Sequence, residues 1–209
     1  MTASYILHKN DLPADVKFSG PLAVDCEFMG PDVWRDRLCL IQLRDEKSDA
    51  HIVQFAAGGY AAPNLKKILS DAKTEKIFHG ARADMRGIGR YLGIIPENIY
   101  CLQIASRISR TYTQSHTLDD IARHLLGFRL HKDQQSINWG ADELAPELLD
   151  TAAGGVMHLH AMRGMLDEMM KRDDRLGIAQ GLFQCLPALV KADLGGWGEG
   201  DVFAVGEPE

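Results

Sequence analysis

Asp25 and Glu27 close the segment "AVDCEF", and their spacing puts both side chains on one face of a strand. The two acids then project together just beyond an apolar run. Asp84 is a third carboxylate of interest. It follows the short apolar run "KIF" by a loop and stands in the first turn of a helical pattern, "ADMRGIGRYLG". Each has an ordinary explanation. An Asp-x-Glu at a strand end is often merely solvated, and an acid in a first helical turn gains from the macrodipole. Joined, the three offer different chemistry. Hard cations such as Mg2+ or Mn2+ take oxygen ligands, and carboxylates also cancel their charge. Two such ions about 4 Å apart activate a water and stabilise the leaving oxygen of a phosphodiester. Three or four inward-facing acids are needed to hold both. Asp25, Glu27 and Asp84 supply three, so a fourth acid and a group to orient the water have to come from later in the chain.

The elements that must position these acids are legible in outline. "PLAVDCEF", "LCLIQLR" and "AHIVQF" read as strands separated by turn residues, the last before Gly58-Gly59. "APNLKKILSD" has helical spacing, "EKIFHG" is a buried strand, and the helix carrying Asp84 ends near Gly93. Strand–helix–strand order of this kind predicts an α/β fold with a mixed sheet. After "NIYCLQIASRISR" the chain turns helical. "HTLDDIARHLLG" is one helix, with Gly127 as its stop. "ADELAPELLDTAAGGVMHLHAMRGMLDEMMKRDD" is a long helical stretch interrupted by Gly154 and Gly155, and "GIAQGLFQCLPALVKADLGGW" ends in a short helix and a Gly-rich tail.

Composition narrows the class. The 209 residues, 45% hydrophobic and 25% charged, suit one globular domain over 1–209. No apolar run has membrane-spanning length, so no membrane partner is expected, and no leader pattern follows Met1. The scattered Cys26, Cys39, Cys101 and Cys185 read as reduced thiols of a cytoplasmic protein. A net charge of −6 argues against a nonspecific duplex binder, which needs many phosphate contacts; a short single strand is compatible with it.

"AVDCEF", "IFHGARADMRGI" and "LLDTAAGGVMHLHAM" resemble the three motifs of the RNase D-like, DEDD-type 3′–5′ exonucleases. "RDRLCLIQL", "APNLKKILSD", "KIFH", "IASRISRTYT", "KDQQS", "FQCLP" and "DLGGWGEGDVFA" extend the similarity over nearly the whole chain, to the small nanoRNase C branch that degrades very short RNA. The resemblance implies an RNase H-like (DnaQ-like) α/β exonuclease fold: a mixed five- or six-stranded sheet flanked by helices, with a helical C-terminal half. It also implies Mg2+ or Mn2+, a short single-stranded RNA or oligonucleotide as substrate, and a homo-oligomer, with an octamer as a candidate size. Asp25, Glu27 and Asp84 match the metal ligands. Met29 matches the apolar residue that wedges against the terminal bases, and His79 belongs to the second motif. Arg82 is a candidate phosphate contact, because Arg82, Arg86 and Arg90 recur every fourth residue as one strip whose default is a solvated face.

The third motif departs from the pattern. Family members carry Tyr-Ala-Ala-x-Asp, whereas this chain reads "TAAGG". Thr151 stands at the tyrosine position and Gly155 at the aspartate position, so one metal ligand and the water-orienting phenol are missing. Asn138 for aspartate and Leu102 for threonine are further departures, and Cys26 and Ala83 are milder ones. Three carboxylates are enough for one ion, but the second ion and its activated water are weakened. His158, three residues beyond Gly155, is the residue placed to compensate, since imidazole ligates Mn2+ or Zn2+. Asp150 is turned about 100° from Thr151 around a helix. The expectation is a 3′–5′ exoribonuclease of weak or conditional activity, with a catalytically inactive oligonucleotide-binding homologue or an assembly subunit as the alternative.

Overall fold

A computed structural model of the chain describes residues 4–130 and 137–198. The matches at residues 132–136 and 199–204 lie outside the described residues. Six strands, β1 (Tyr5–Lys9), β2 (Leu22–Phe28), β3 (Leu38–Arg44), β4 (Ala50–Gln54), β5 (Lys76–Phe78) and β6 (Ile99–Cys101), form one sheet in the order β1-β4-β3-β2-β5-β6. β2–β3 and β3–β4 pair antiparallel, while β1–β4, β2–β5 and β5–β6 pair parallel. The mixed sheet is therefore as expected. Helix α1 (Pro63–Leu69) joins β4 to β5, and α2 (Ala81–Leu92) joins β5 to β6. After β6 the chain is helical: α3 (Leu102–Ser109), α4 (Leu118–Leu125), α5 (Pro146–Met157), α6 (Leu159–Arg172) and α7 (Leu176–Ala192), with a wider helical turn over Asp193–Trp197.

Burial follows from sequence. β3 is buried from Leu38 to Leu43 and β4 throughout, which requires cover on both faces of the sheet. The core is continuous from Leu12 through these strands to Val190 of α7, so the helical half packs on the sheet. β2 changes character along its length. Leu22, Ala23 and Val24 are fully buried, while Asp25, Glu27 and Phe28 are partly exposed where the strand leaves the core. β5 runs parallel to β2, so α2, starting just past β5, opens at the same end of the sheet. Ligands of open α/β sheets bind at that carboxyl end.

Three elements differ from the sequence expectation. β1 is an additional edge strand, and the long helical stretch divides at His158 (φ −116°, ψ 2°) into α5 and α6. The terminal helix is long, because Pro187 lies inside α7 without ending it. The double glycine does not break α5, which runs through both residues. No helix among the described residues is long and apolar enough to cross a membrane.

Candidate active site

Asp25 and Glu27 arise at the emerging end of β2, opposite Gln42 and Leu40 of β3. Asp84 comes from α2, whose inward face is Ala81, Asp84, Met85, Ile88 and Leu92 at helical spacing. This turns the carboxylate inward, with 8% of Asp84 exposed. The helix lies close to β2: a Cβ at Gly87 would stand 2.2 Å from the Phe28 ring, so only glycine permits this approach. Cys26 lies between the two β2 acids. Burial pushes its thiol well up, and the negative charges of Asp84, Asp25 and Glu27 push it further in the same direction.

The third-motif helix also reaches this place. A Cβ at Gly155 would lie 2.1 Å from Asp25 Oδ2 and 3.0 Å from its Cγ. Gly155 thus packs directly on Asp25, and the Asp25 carboxylate stands in the volume a side chain there would take. Gly154 faces open space. Thr151, one turn earlier, donates its hydroxyl to the Glu147 carbonyl at 2.8 Å, a bond within its own helix. Among the described residues, no three His, Cys, Asp or Glu side chains stand close enough together to hold one cation. Asp25, Glu27 and Asp84 thus do not form such a group as they stand, and the third motif adds neither an acid nor a phenol.

The other expected residues are placed as follows. Met29 is 46% exposed, and its backbone N–H donates to Arg37 O. Its sulfur packs on Gly140, where a Cβ would come within 2.4 Å. Arg37 locks that turn by donating to Gly140 O and Phe55 O. His79 Nε2 donates to His116 O at 2.8 Å, tying the second motif to the segment before α4. Arg82 holds Asp193 bidentately, at 2.8 and 2.6 Å, and Arg86 lies 3.8 Å from the same carboxylate. Arg90 stacks over Trp34 at 5.2 Å. Every member of the arginine strip therefore has a protein partner. His158 sits in the α5–α6 break, edge-on to Phe128, and both burial and the Arg44 charge hold its pKa below the usual histidine value.

Three contributors lie in segments that carry the resemblance, but no local pattern there marks their part in the site. Asp193, 111 residues from Arg82, anchors the C-terminal turn on α2. Buried Arg110 bonds Asp120 and Ser106, and Ser106 shares a hydrogen bond with His116, which supports the His79 contact. Gln42 is a buried amide across from Asp25; its only trace in the sequence is a polar residue within an apolar strand.

The family model of the 3′–5′ exonucleases matches residues 8–171 of the chain. The chain belongs to the 3′–5′ exonuclease family. Within that family it falls in the RNase D-like, NrnC branch and has its RNase H-like fold. It is similar to ribonuclease D of Nitrobacter hamburgensis (27% identity over 154 residues, 74% of this chain and 40% of the relative). The chain spans less than half the length of that relative. Brucella melitensis NrnC is similar over almost its whole length. The structure with bound Mg2+ has 37% identity, a TM-score of 0.91, and coverage of 96% of this chain and 98% of that one. The structure bound to pGG has 37% identity, a TM-score of 0.91, and coverage of 97% and 98%.

Proposed function

We propose that this exonuclease-family chain hydrolyses short single-stranded RNA from the 3′ end with weak activity that depends on Mg2+ or Mn2+. The observation that carries this reading is the packing of Gly155 on Asp25. The third motif keeps its place beside the β2 acids while lacking its functional groups. The donor chemistry fits one hard cation: two carboxylates on one strand face, with a buried amide directly across from Asp25. Asp25 and Glu27 would hold that ion, with Asp84 of α2 drawn in as it binds, and the ion would supply positive charge for the phosphodiester and a more acidic water. Met29 offers an exposed apolar side chain to a terminal base, on a backbone fixed by Arg37. His79 keeps the loop before α2 in place. Arg82 has phosphate contact open only at its exposed edge, because Asp193 takes two of its donors.

The pGG ligand of Brucella melitensis NrnC supports a very short substrate, and the Mg2+ of its companion structure supports the ion. Our reading places the chain in the cytoplasm as a homo-oligomer, with an octamer as the size to test by light scattering.

A second reading is a catalytically inactive homologue that binds short oligonucleotides or serves as an assembly subunit. It is favoured by the Asp25 oxygen standing in the volume of the lost ligand and by the Thr151 hydroxyl being bonded within α5. End-labelled pGG incubated with Mn2+ separates the two. The enzyme reading expects mononucleotide product that Asp25→Ala abolishes, and the binding reading expects affinity without product at any metal concentration.

A further inference from the structure

Gln42 stands in the middle of β3, paired directly with Asp25 in the antiparallel register. Residues so paired point to the same face, with Cβ atoms about 4.5–5.5 Å apart. That face is the one on which Gly155 of α5 meets Asp25. Gln42 has 0% exposure, and neither its Nε2 nor its Oε1 has a hydrogen-bond partner. Buried amides in native proteins are satisfied almost without exception, so one that is not calls for a physical reason. Apolar side chains of similar volume would fill the same strand position without this penalty, as Leu40 does two residues earlier.

We propose that Gln42 Oε1 is an oxygen ligand of a divalent cation held by Asp25 and Glu27. The inference rests on the metal-binding reading given above and adds a ligand to it. Mg2+, Mn2+ and Ca2+ accept amide carbonyl oxygens alongside carboxylates. An amide contributes a bond but no charge. Such a site therefore holds one ion more weakly than a fully acidic site would, and the amide lends nothing to a second. The amide satisfied in this way also loses its orphan status, which links the two observations.

The test is Mn2+ binding to the metal-free full chain by titration calorimetry, with thermal unfolding in chelator and in Mn2+ as an independent readout. No substrate is needed. Gln42→Leu removes the oxygen and should weaken Mn2+ binding roughly tenfold or more, while unfolding in chelator stays equal or moves to higher temperature. Gln42→Glu supplies the missing charge and should tighten Mn2+ binding by a similar factor. The inference is overturned if Gln42→Leu binds Mn2+ like the parent, or if Gln42→Glu weakens binding. If Gln42→Leu fails to fold, the Gln42→Glu arm decides alone. Asp25→Ala separates the inference from the reading beneath it. If Mn2+ binding is lost in Asp25→Ala and kept in Gln42→Leu, the Gln42 ligand falls and the site stands. If Asp25→Ala binds Mn2+ undiminished, or the parent binds none, the site falls as well.

Discussion

Restoring the third motif, with Gly155→Asp and Thr151→Tyr together, should convert the chain into an efficient nuclease, and the structure indicates at what cost. The new Cβ at position 155 meets Asp25 Oδ2 at 2.1 Å, Cγ at 3.0 Å and Cβ at 3.5 Å. Only the far end of the Asp25 side chain is in the way, and its oxygen must retreat to the ordinary 3.4 Å. A carboxylate rotated about 30° off its rotamer costs about 0.5–1.5 kcal/mol, partly offset by about 0.3 kcal/mol for removing a mid-helix glycine. Two acids brought together also repel without a cation, so the double variant should melt lower than the parent in chelator and regain that loss in Mg2+. Losing an outer-sphere partner of a metal ligand alone costs about 10–100-fold, and a ligand more. A positioned proton-transfer group contributes about 10²–10⁴-fold. Together these predict a rise in kcat/KM on end-labelled pGG of at least about 10³-fold, or about 4 kcal/mol of transition-state stabilisation. No rise in a variant with intact circular dichroism and a Mg2+-dependent melting shift would refute the placement of the third motif.

Other outcomes follow from single contacts. His158→Ala should leave Mn2+-dependent cleavage unchanged, because His158 packs on Phe128 beside Arg44; a loss of activity in a folded variant would show that it serves the site. Asp193→Ala should lower urea-unfolding stability by about 1 kcal/mol, since it removes charged hydrogen bonds to a guanidinium that is half exposed and screened by water; an unchanged midpoint would show that the C-terminal turn is held elsewhere. The Arg110 hydrogen bond, with help from Arg123, holds the Asp120 carboxyl at about 2, below its ordinary 3.8. Its native pKa is depressed, so the stabilisation is complete above pH 4 and is lost as pH falls toward 2. The parent should lose about 2 kcal/mol more than Asp120→Asn between pH 5 and pH 2 in urea titrations, and equal losses would contradict this.

The parts of the fold that sequence displays are those written in local periodicity. β2, β3 and β4 alternate or run apolar between turn residues, and α2 begins after "KIF" and ends at Gly93, whose φ of 72° suits glycine. β1 escaped because it is a half-exposed edge strand of mixed polarity. β6 passes straight into α3 with no turn residue between them. The break at His158 has neither glycine nor proline to announce it, whereas Pro187 and the double glycine, which do look like breaks, lie within continuous helices. Tertiary packing overrides propensity at each of these places. At the site, the strand period showed that Asp25 and Glu27 share a face. Gln42 needs the β2–β3 register to be seen as their neighbour, and Asp193 needs the docking of the C-terminal turn on α2. The arginine strip is legible as a fourfold spacing, but its two partners, Asp193 for Arg82 and Arg86 and Trp34 for Arg90, are not encoded in that spacing.

The most direct test of the central claim is a crystal of the full chain soaked in Mn2+, with anomalous scattering measured at the manganese edge. The account predicts a single strong peak bonded to Asp25 and Glu27, beside Gly155. Manganese bound away from Asp25, or no peak at saturating metal, would contradict it.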